Sequence, residues 1–321
     1  MLKIGIIGAG GIASQHLDSL KQIDNVKVVA FADVDKDKAD KMASTVRAKS
    51  YTDYKELLKD DVDAVYICVP PVYTQEIVLA AAAAKKHVFC EKPLALTYED
   101  GQKLINACKS AKVKLMVGYI LRFYPTFKVF KTIVDSGKLG DIVSIWCQRY
   151  SGFPYLVSWA NDKKLCGGMT VEYSTHDIDW LLWVAGRPVD VFAKTAIVRS
   201  GTDHEDNVWG LISLEKGVAY LGCSRTSHMG SNYVGVIGTR GTMIMDGSGK
   251  IKISCVGRDE PEAVEEVKVE QTDPMIAEDR AFIQSIIDDT EPPITGEEAL
   301  LDLKVALAIQ KSATTGTVQP I

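Results

Sequence analysis

Lys92 stands in Glu91-Lys92-Pro93, directly after the apolar run His87–Cys90. An amine held at the end of a buried strand can hydrogen-bond a reacting oxygen and stabilise negative charge developing there. Pro93 ends the strand ladder and restricts the residue before it to extended backbone, so stiff chain carries Lys92. The plain alternative is a solvated turn. A second set lies in CGGMTVEYSTHDIDWLLWVAG, 166–186, where Glu172, His176 and Asp179 follow at i, i+4 and i+7. On one helix these three share a face. Histidine gives and takes protons near neutral pH, and a carboxylate one turn away can fix its tautomer and raise its basicity. The alternative is a helix-start histidine satisfied by Asp179. The spacing of Glu172 and His176 also suits a metal, but no further ligands are nominated elsewhere, so none is expected. His16, His204 and His228 have weaker contexts and read as structural or exposed, and 203–207 (DHEDN) reads as a polar loop.

A third group opens the chain. MLKIGIIGAGGIA places Gly8-x-Gly10-x-x-Ala13 after an apolar run and at the head of a helical pattern. The first glycine permits a tight turn, the second lets backbone approach a pyrophosphate, and a small third residue lets helix and strand pack closely. The helix start offers N–H groups and partial positive charge to phosphate. Asp33 ends the second apolar run, 20 residues past Ala13. An acid there accepts hydrogen bonds from the adenine ribose and repels a 2′-phosphate, so NAD is favoured, with NADP possible because Lys36 and Lys38 are near. The alternative is a turn made by the glycines and a helix cap made by Asp33. Pro70-Pro71 close the third run as a rigid shelf or a simple strand stop.

These residues need elements to hold them. Runs at 2–7, 27–32, 64–69, 87–90 and 113–117 read as strands, and helical patterns fall near 11–22, 36–46, 53–59, 73–85 and 98–111. Near-continuous apolar strands alternating with helices predict a doubly wound parallel sheet, an α/β Rossmann domain. Ligands bind beyond the carboxyl ends of such strands, where the glycine loop, Asp33, Pro70-Pro71 and Glu91-Lys92-Pro93 all fall. After about 120 the rhythm changes to successive runs separated by glycine turns, with helices near 124–136, 173–185, 275–288 and 297–312. That predicts an α+β domain with a large open, mainly antiparallel sheet and helices on one face. The division is 1–120 for dinucleotide binding and 121–321 for substrate and oligomerisation.

Composition narrows the classes. The 321 residues are 46% hydrophobic and 25% charged, with net charge −5. No basic surface advertises nucleic acid or anionic lipid, and no apolar run is long enough for a membrane span. The start lacks the basic region and cleavage site of a signal peptide. Seven cysteines, without C-x-x-C, suit reduced thiols and a cytoplasmic setting.

In its glycine loop, KKHVFCEKPLAL, VGYILRFYP and GGMTVEYSTHDIDWLLWVAG, the chain resembles the glucose–fructose oxidoreductase / inositol dehydrogenase / rhizopine-catabolism (Gfo/Idh/MocA) family, along essentially its whole length. The resemblance implies NAD-dependent hydride transfer at a secondary alcohol or ketone carbon of a sugar or polyol. It places Gly8, Gly10, Gly11, Ile12, Asp33, Pro70, Pro71, Glu91 and Lys92 at the cofactor. Lys92 lies beside nicotinamide and substrate, its peptide to Pro93 commonly cis, and His176 takes the hydroxyl proton. The family's aspartate four residues earlier is here Glu172, which with Asp179 would hold hydroxyls or orient His176. The common G-F-N-R-R-F is here Gly118–Phe123, leaving Tyr119 and Arg122 as substrate contacts, and a usual histidine is here Thr74. The resemblance also implies a homodimer or homotetramer built on the open sheet. Two alternatives stand beside it: an NADPH-dependent keto-sugar reductase and a non-catalytic dinucleotide-binding regulator.

Overall fold

The computed structural model describes residues 1–152, 158–199, 201–255 and 263–321. Its first half runs β1 (Leu2–Ile7), α1 (Gly11–Leu20), β2 (Val26–Ala32), α2 (Lys36–Val46), β3 (Lys49–Tyr51), α3 (Tyr54–Leu58), β4 (Ala64–Ile67), α4 (Pro71–Ala83), β5 (His87–Glu91), α5 (Tyr98–Ala111) and β6 (Leu115–Gly118). The strands form a parallel sheet in the order β3-β2-β1-β4-β5-β6. This is the expected doubly wound Rossmann sheet. Strand order reverses between β1 and β4, which opens a crevice beyond their carboxyl ends. The three-residue β3 is an addition; its short, half-exposed Lys49-Ser50-Tyr51 carries no apolar signal.

Three helix starts of the first unit follow the usual capping chemistry. Asp35, Asp53 and Thr97 cap α2, α3 and α5 by accepting backbone N–H bonds. The first helix instead opens on Gly10, which brings no capping side chain.

The second half runs α6 (Pro125–Asp135), β7 (Ile142–Tyr150), α7 (Lys163–Cys166), α8 (Met169–Glu172), α9 (Thr175–Ala185), β8 (Pro188–Ala196), β9 (Asn207–Leu214), β10 (Val218–Ser224), β11 (Ser231–Gly238), β12 (Gly241–Met245), β13 (Ile251–Cys255) and β14 (Glu265–Val267). Then come α10 (Pro274–Ile287), α11 (Gly296–Thr315) and β15 (Gln319–Pro320). The sheet order is β14-β13-β12-β11-β7-β10-β9-β8-β15. Among the described residues its pairs are antiparallel except β7 with β10. Val256, the end of one apolar run, lies outside the described residues.

Two compact units result: Met1–Ile120 with Asp273–Leu303, and Leu121–Thr272 with Lys304–Ile321. The linear division at 120 therefore omits a return of the chain, because α10 packs on α1 in the first unit. There Tyr66, Phe89 and Phe282 meet ring to ring at 4.6–5.7 Å.

In the second unit one sheet face is buried. Ile212, Ala219, Ile145 and Val236 stand side by side across four strands beneath α9, and the Ser312 hydroxyl on α11 accepts the Ala193 N–H at 2.9 Å. Trp180 on α9 donates to the Phe127 carbonyl at 3.2 Å and meets Phe127 and Phe130 edge-on. The opposite sheet face carries Phe192, Trp209, Leu211, Tyr233 and Ile237, all exposed.

The expected helix over 173–185 is broken at its start. Tyr173 follows the last residue of α8 and Ser174 precedes the first of α9. The guanidinium of Arg149 takes the Tyr173 carbonyl at 2.7 Å, and the Asp177 N–H turns to Ser174 O. That exchange removes the hydrogen bond which would have run the helix through.

Candidate active site

In the first unit the strand ends gather the residues expected to hold a dinucleotide. Gly8 has φ 93°, and a Cβ there would stand 2.3 Å from the Cys68 carbonyl oxygen. Only glycine holds that turn without displacing the backbone of the neighbouring strand end. Gly10 and Gly11 are the opposite case: a Cβ on either meets nothing within 4 Å. The head of α1 is thus an open cradle whose N–H groups have no capping side chain. Ile12 follows, half-buried, and Ala13 is fully buried against the sheet.

Asp33, just after β2, is fastened to this loop. Its Oδ2 accepts the Ala9 N–H at 2.7 Å and its Oδ1 the Asp35 N–H at 2.8 Å. Each oxygen keeps a further lone pair, so the carboxylate can still accept from a diol. Lys36 and Lys38, which the sequence sets near it, instead pair with Asp40 and Asp35. Pro70 stands at the N-cap position of α4 without a capping side chain and Pro71 is its first residue, so the shelf after β4 is a helix start. An open cradle with backbone donors, next to an anchored carboxylate, fits a dinucleotide.

Lys92 follows β5, half-buried, and its peptide to Pro93 is cis. Glu91, expected at the cofactor surface, directs Oε1 to His16 Nε2 at 3.0 Å. His16 Nδ1 lies 2.8 Å from Asp279 Oδ1. His16 is fully buried on α1, which bears out the structural half of its reading and not the exposed one. Burial opposes its charge, but Asp279 and then Glu91 outweigh that and raise it to about 10. One signal was legible: Ala13, His16, Leu17 and Leu20 form the buried stripe of α1 at spacings of three and four. The partner on α10 was not.

In the second unit Glu172 and His176 fall on different helices, so the shared face expected for Glu172, His176 and Asp179 does not form. His176 is half-buried on the first turn of α9. Glu172 is buried, with Oε2 3.8 Å from Arg225. Arg225 and Arg149 both stack on the Tyr173 ring, at 3.9 and 3.6 Å. Asp177, a residue sequence reasoning passed over, takes Arg149 at 2.6 Å and both the Cys147 and Cys223 thiols. Burial, and then Asp177, push both thiols well up.

Arg122 and Asp179, expected to contact substrate, face each other. The guanidinium holds the carboxylate at 2.6–3.1 Å, both groups buried, and lies over the Trp183 ring. The pair braces α9 from the stretch before α6. Tyr119, the other expected contact, is entirely buried in the first unit. The polar stretch 203–207 is a loop as far as the head of β9, and its residues from 204 on are buried. Both His204 ring nitrogens lie 2.9 Å from carbonyls, of Glu205 and Ala160. The Glu205 carboxylate accepts from Thr170 and Gln310. No cluster of His, Cys, Asp and Glu suited to a metal occurs among the described residues, and no helix there is long and apolar enough to cross a membrane.

Comparison with known proteins bears on these arrangements. Residues 2–119 match the model of the oxidoreductase family with an NAD-binding Rossmann fold, and 127–244 match the GFO/IDH/MocA C-terminal domain. The chain is 30% identical to the uncharacterized oxidoreductase YrbE of Bacillus subtilis, over 97% of this chain and 94% of that one. It is 28% identical to the myo-inositol 2-dehydrogenase of Thermotoga maritima, over 97% and 96%. A levoglucosan dehydrogenase solved with NADH superposes with a TM-score of 0.92 at 20% identity, covering 100% of this chain and 99% of that one, a likeness of fold. The chain therefore belongs to the Gfo/Idh/MocA oxidoreductases, with NAD as cofactor.

Proposed function

We propose that the protein catalyses the reversible oxidation of a secondary hydroxyl on a sugar or polyol, in the manner of an inositol or aldose dehydrogenase. The observation that carries this reading is the position of Lys92 on the strand-end edge that also holds the open cradle and Asp33. The likeness to a myo-inositol 2-dehydrogenase over nearly the full length supports the substrate class.

Bound NAD supplies the acceptor for the hydride that leaves carbon. The chain must manage the oxygen. Lys92 hydrogen-bonds the reacting hydroxyl and stabilises negative charge on it, and His176 takes its proton. Glu172, with Arg225 beside it, receives neighbouring hydroxyls. Asp179 and Arg122 position α9 and with it His176.

Steady-state reduction of NAD across a panel of inositols and aldoses tests the reading. Lys92→Ala and His176→Ala should each lower kcat by roughly 10²–10⁴-fold, the usual worth of acid–base assistance, with NADH affinity unchanged. Near-wild-type turnover in both variants rejects these roles.

The exposed apolar face of the nine-stranded sheet supports a second copy of the chain as its partner, giving a homodimer or homotetramer. Phe192 pairs in register with Leu211, and Trp146 and Tyr220 continue that row across the sheet. A contiguous apolar row of this kind favours cover. The seven cysteines form no disulfide, which supports a cytoplasmic setting.

A further inference from the structure

We propose that His16 is a positioning residue for the reaction: clamped between Glu91 and Asp279, its ring fixes the Glu91 side chain and thereby the placing of Lys92. The inference rests on the role proposed above for Lys92, and it gives α1 a task beyond the one at its N-terminus.

The geometry calls for a doubly protonated ring. Nε2 faces Glu91 Oε1 at 3.0 Å and Nδ1 faces Asp279 Oδ1 at 2.8 Å. A neutral imidazole has one N–H, so one of its nitrogens would aim a lone pair at a carboxylate oxygen. The imidazolium donates to both, and charge-assisted bonds of this length are strong. The surroundings are dry. Tyr66 and Phe89 wall the ring at 5.1 and 4.9 Å, and Phe282 closes on both. The other titratable groups facing this site are Tyr66 itself, Glu278 on α10, and Cys68 and Cys90 at the strand ends.

Glu91 is fenced from a second direction. It pairs with Gly118 on β6, where a Cβ would stand 3.1 Å from Glu91 Oε1 and 3.2 Å from the Phe89 ring. A bare glycine lets the carboxylate lie flat across β6 toward His16. The next residue is Lys92, and Pro93 after it narrows the backbone freedom of Lys92. Glu91 and Lys92 share one peptide, so a displaced Glu91 backbone would carry Lys92 with it. Three elements meet at His16: the helix headed by the glycine cradle, the strand that delivers Lys92, and α10.

Kinetics on His16→Gln, Glu91→Gln and the double variant test this. His16→Gln is expected to lower kcat roughly 10–100-fold, the scale of a misplacement near 1 Å, while NADH affinity by fluorescence titration stays within about threefold. The double variant should lose no more than the worse single one, because the histidine acts through the glutamate. Multiplying losses, or a folded His16→Gln with wild-type kcat, overturn the proposal. Should His16→Gln fold poorly, Glu91→Gln, of equal size, carries the kinetic test. A crystal structure of Glu91→Gln gives an arm that needs no substrate. A displaced Lys92 amine supports the proposal, and an unmoved one overturns it. If Lys92→Ala turns over normally, the Lys92 reading fails by itself and that failure is told apart from this one.

Discussion

Replacing Gly10 by serine should separate cofactor binding from folding. Gly10 has φ −88° and ψ −170°, extended backbone open to any residue, and a Cβ there meets nothing within 4 Å. Serine is a good N-cap, so Gly10→Ser should fold as the parent does, its stability altered by only a few tenths of a kcal/mol. Its hydroxyl would accept an N–H at the head of α1 and fill the space a phosphate oxygen needs. Losing one hydrogen bond to a charged group costs about 1.5–3 kcal/mol, so the Kd for NADH should rise roughly 10- to 150-fold. Gly8→Ala should behave oppositely. At φ 93°, with Cβ 2.3 Å from Cys68 O, it carries both backbone strain and overpacking. Together these cost about 2–5 kcal/mol, or a Tm lower by roughly 5–15 °C. Thermal unfolding and NADH fluorescence titration on both variants make the comparison. A folded Gly10→Ser that binds NADH as the parent does would refute the cradle.

Other outcomes follow from the same geometry. Asp33→Ser removes the carboxylate that accepts from Ala9 and Asp35, and the ratio of kcat/KM for NAD over NADP should fall at least about tenfold; an unchanged ratio argues that Asp33 only shapes the loop. Leu211→Glu in the apolar row of the open sheet should lower the mass measured by light scattering toward a monomer, and an unaltered mass excludes that face as the subunit contact. His16 imposes a pH slope on stability. Burial opposes its charge and Asp279 and Glu91 prevail, raising it to about 10, so the folded chain keeps a proton that the unfolded chain releases above about pH 6.5. Its contribution is complete below about 6.5 and is lost as pH climbs toward 10. Urea unfolding at pH 6 and 9.5 should show the parent losing more stability than His16→Phe, and equal losses would deny the imidazolium.

Much of the first unit could be read from the chain because its signals are local. A glycine spacing, an apolar run and a following helix fix β1, the cradle and α1 within 20 residues. The edge holding Asp33, Pro70 and Lys92 followed from topology alone. What stayed hidden depends on partners distant in sequence. Nothing near Tyr173 foretells that Arg149 takes its carbonyl and breaks the helix before His176. Arg122 and Asp179 each suggested a substrate contact, and only the fold shows them facing one another. The clamp on His16 stayed hidden because its two carboxylates lie 75 and 263 residues away.

The return of 273–303 to the first unit bears on how a ribosome makes this protein. N-terminal domains commonly fold while the rest of the chain is still being synthesised, at about 5–20 residues per second. Here the nascent Rossmann sheet emerges early, yet Asp279 and Phe282 are still untranslated. The 263 residues between His16 and Asp279 delay their meeting by roughly 13–50 s. Until then the face of α1 that will receive α10 stays bare, a natural place for a chaperone to hold the growing polypeptide.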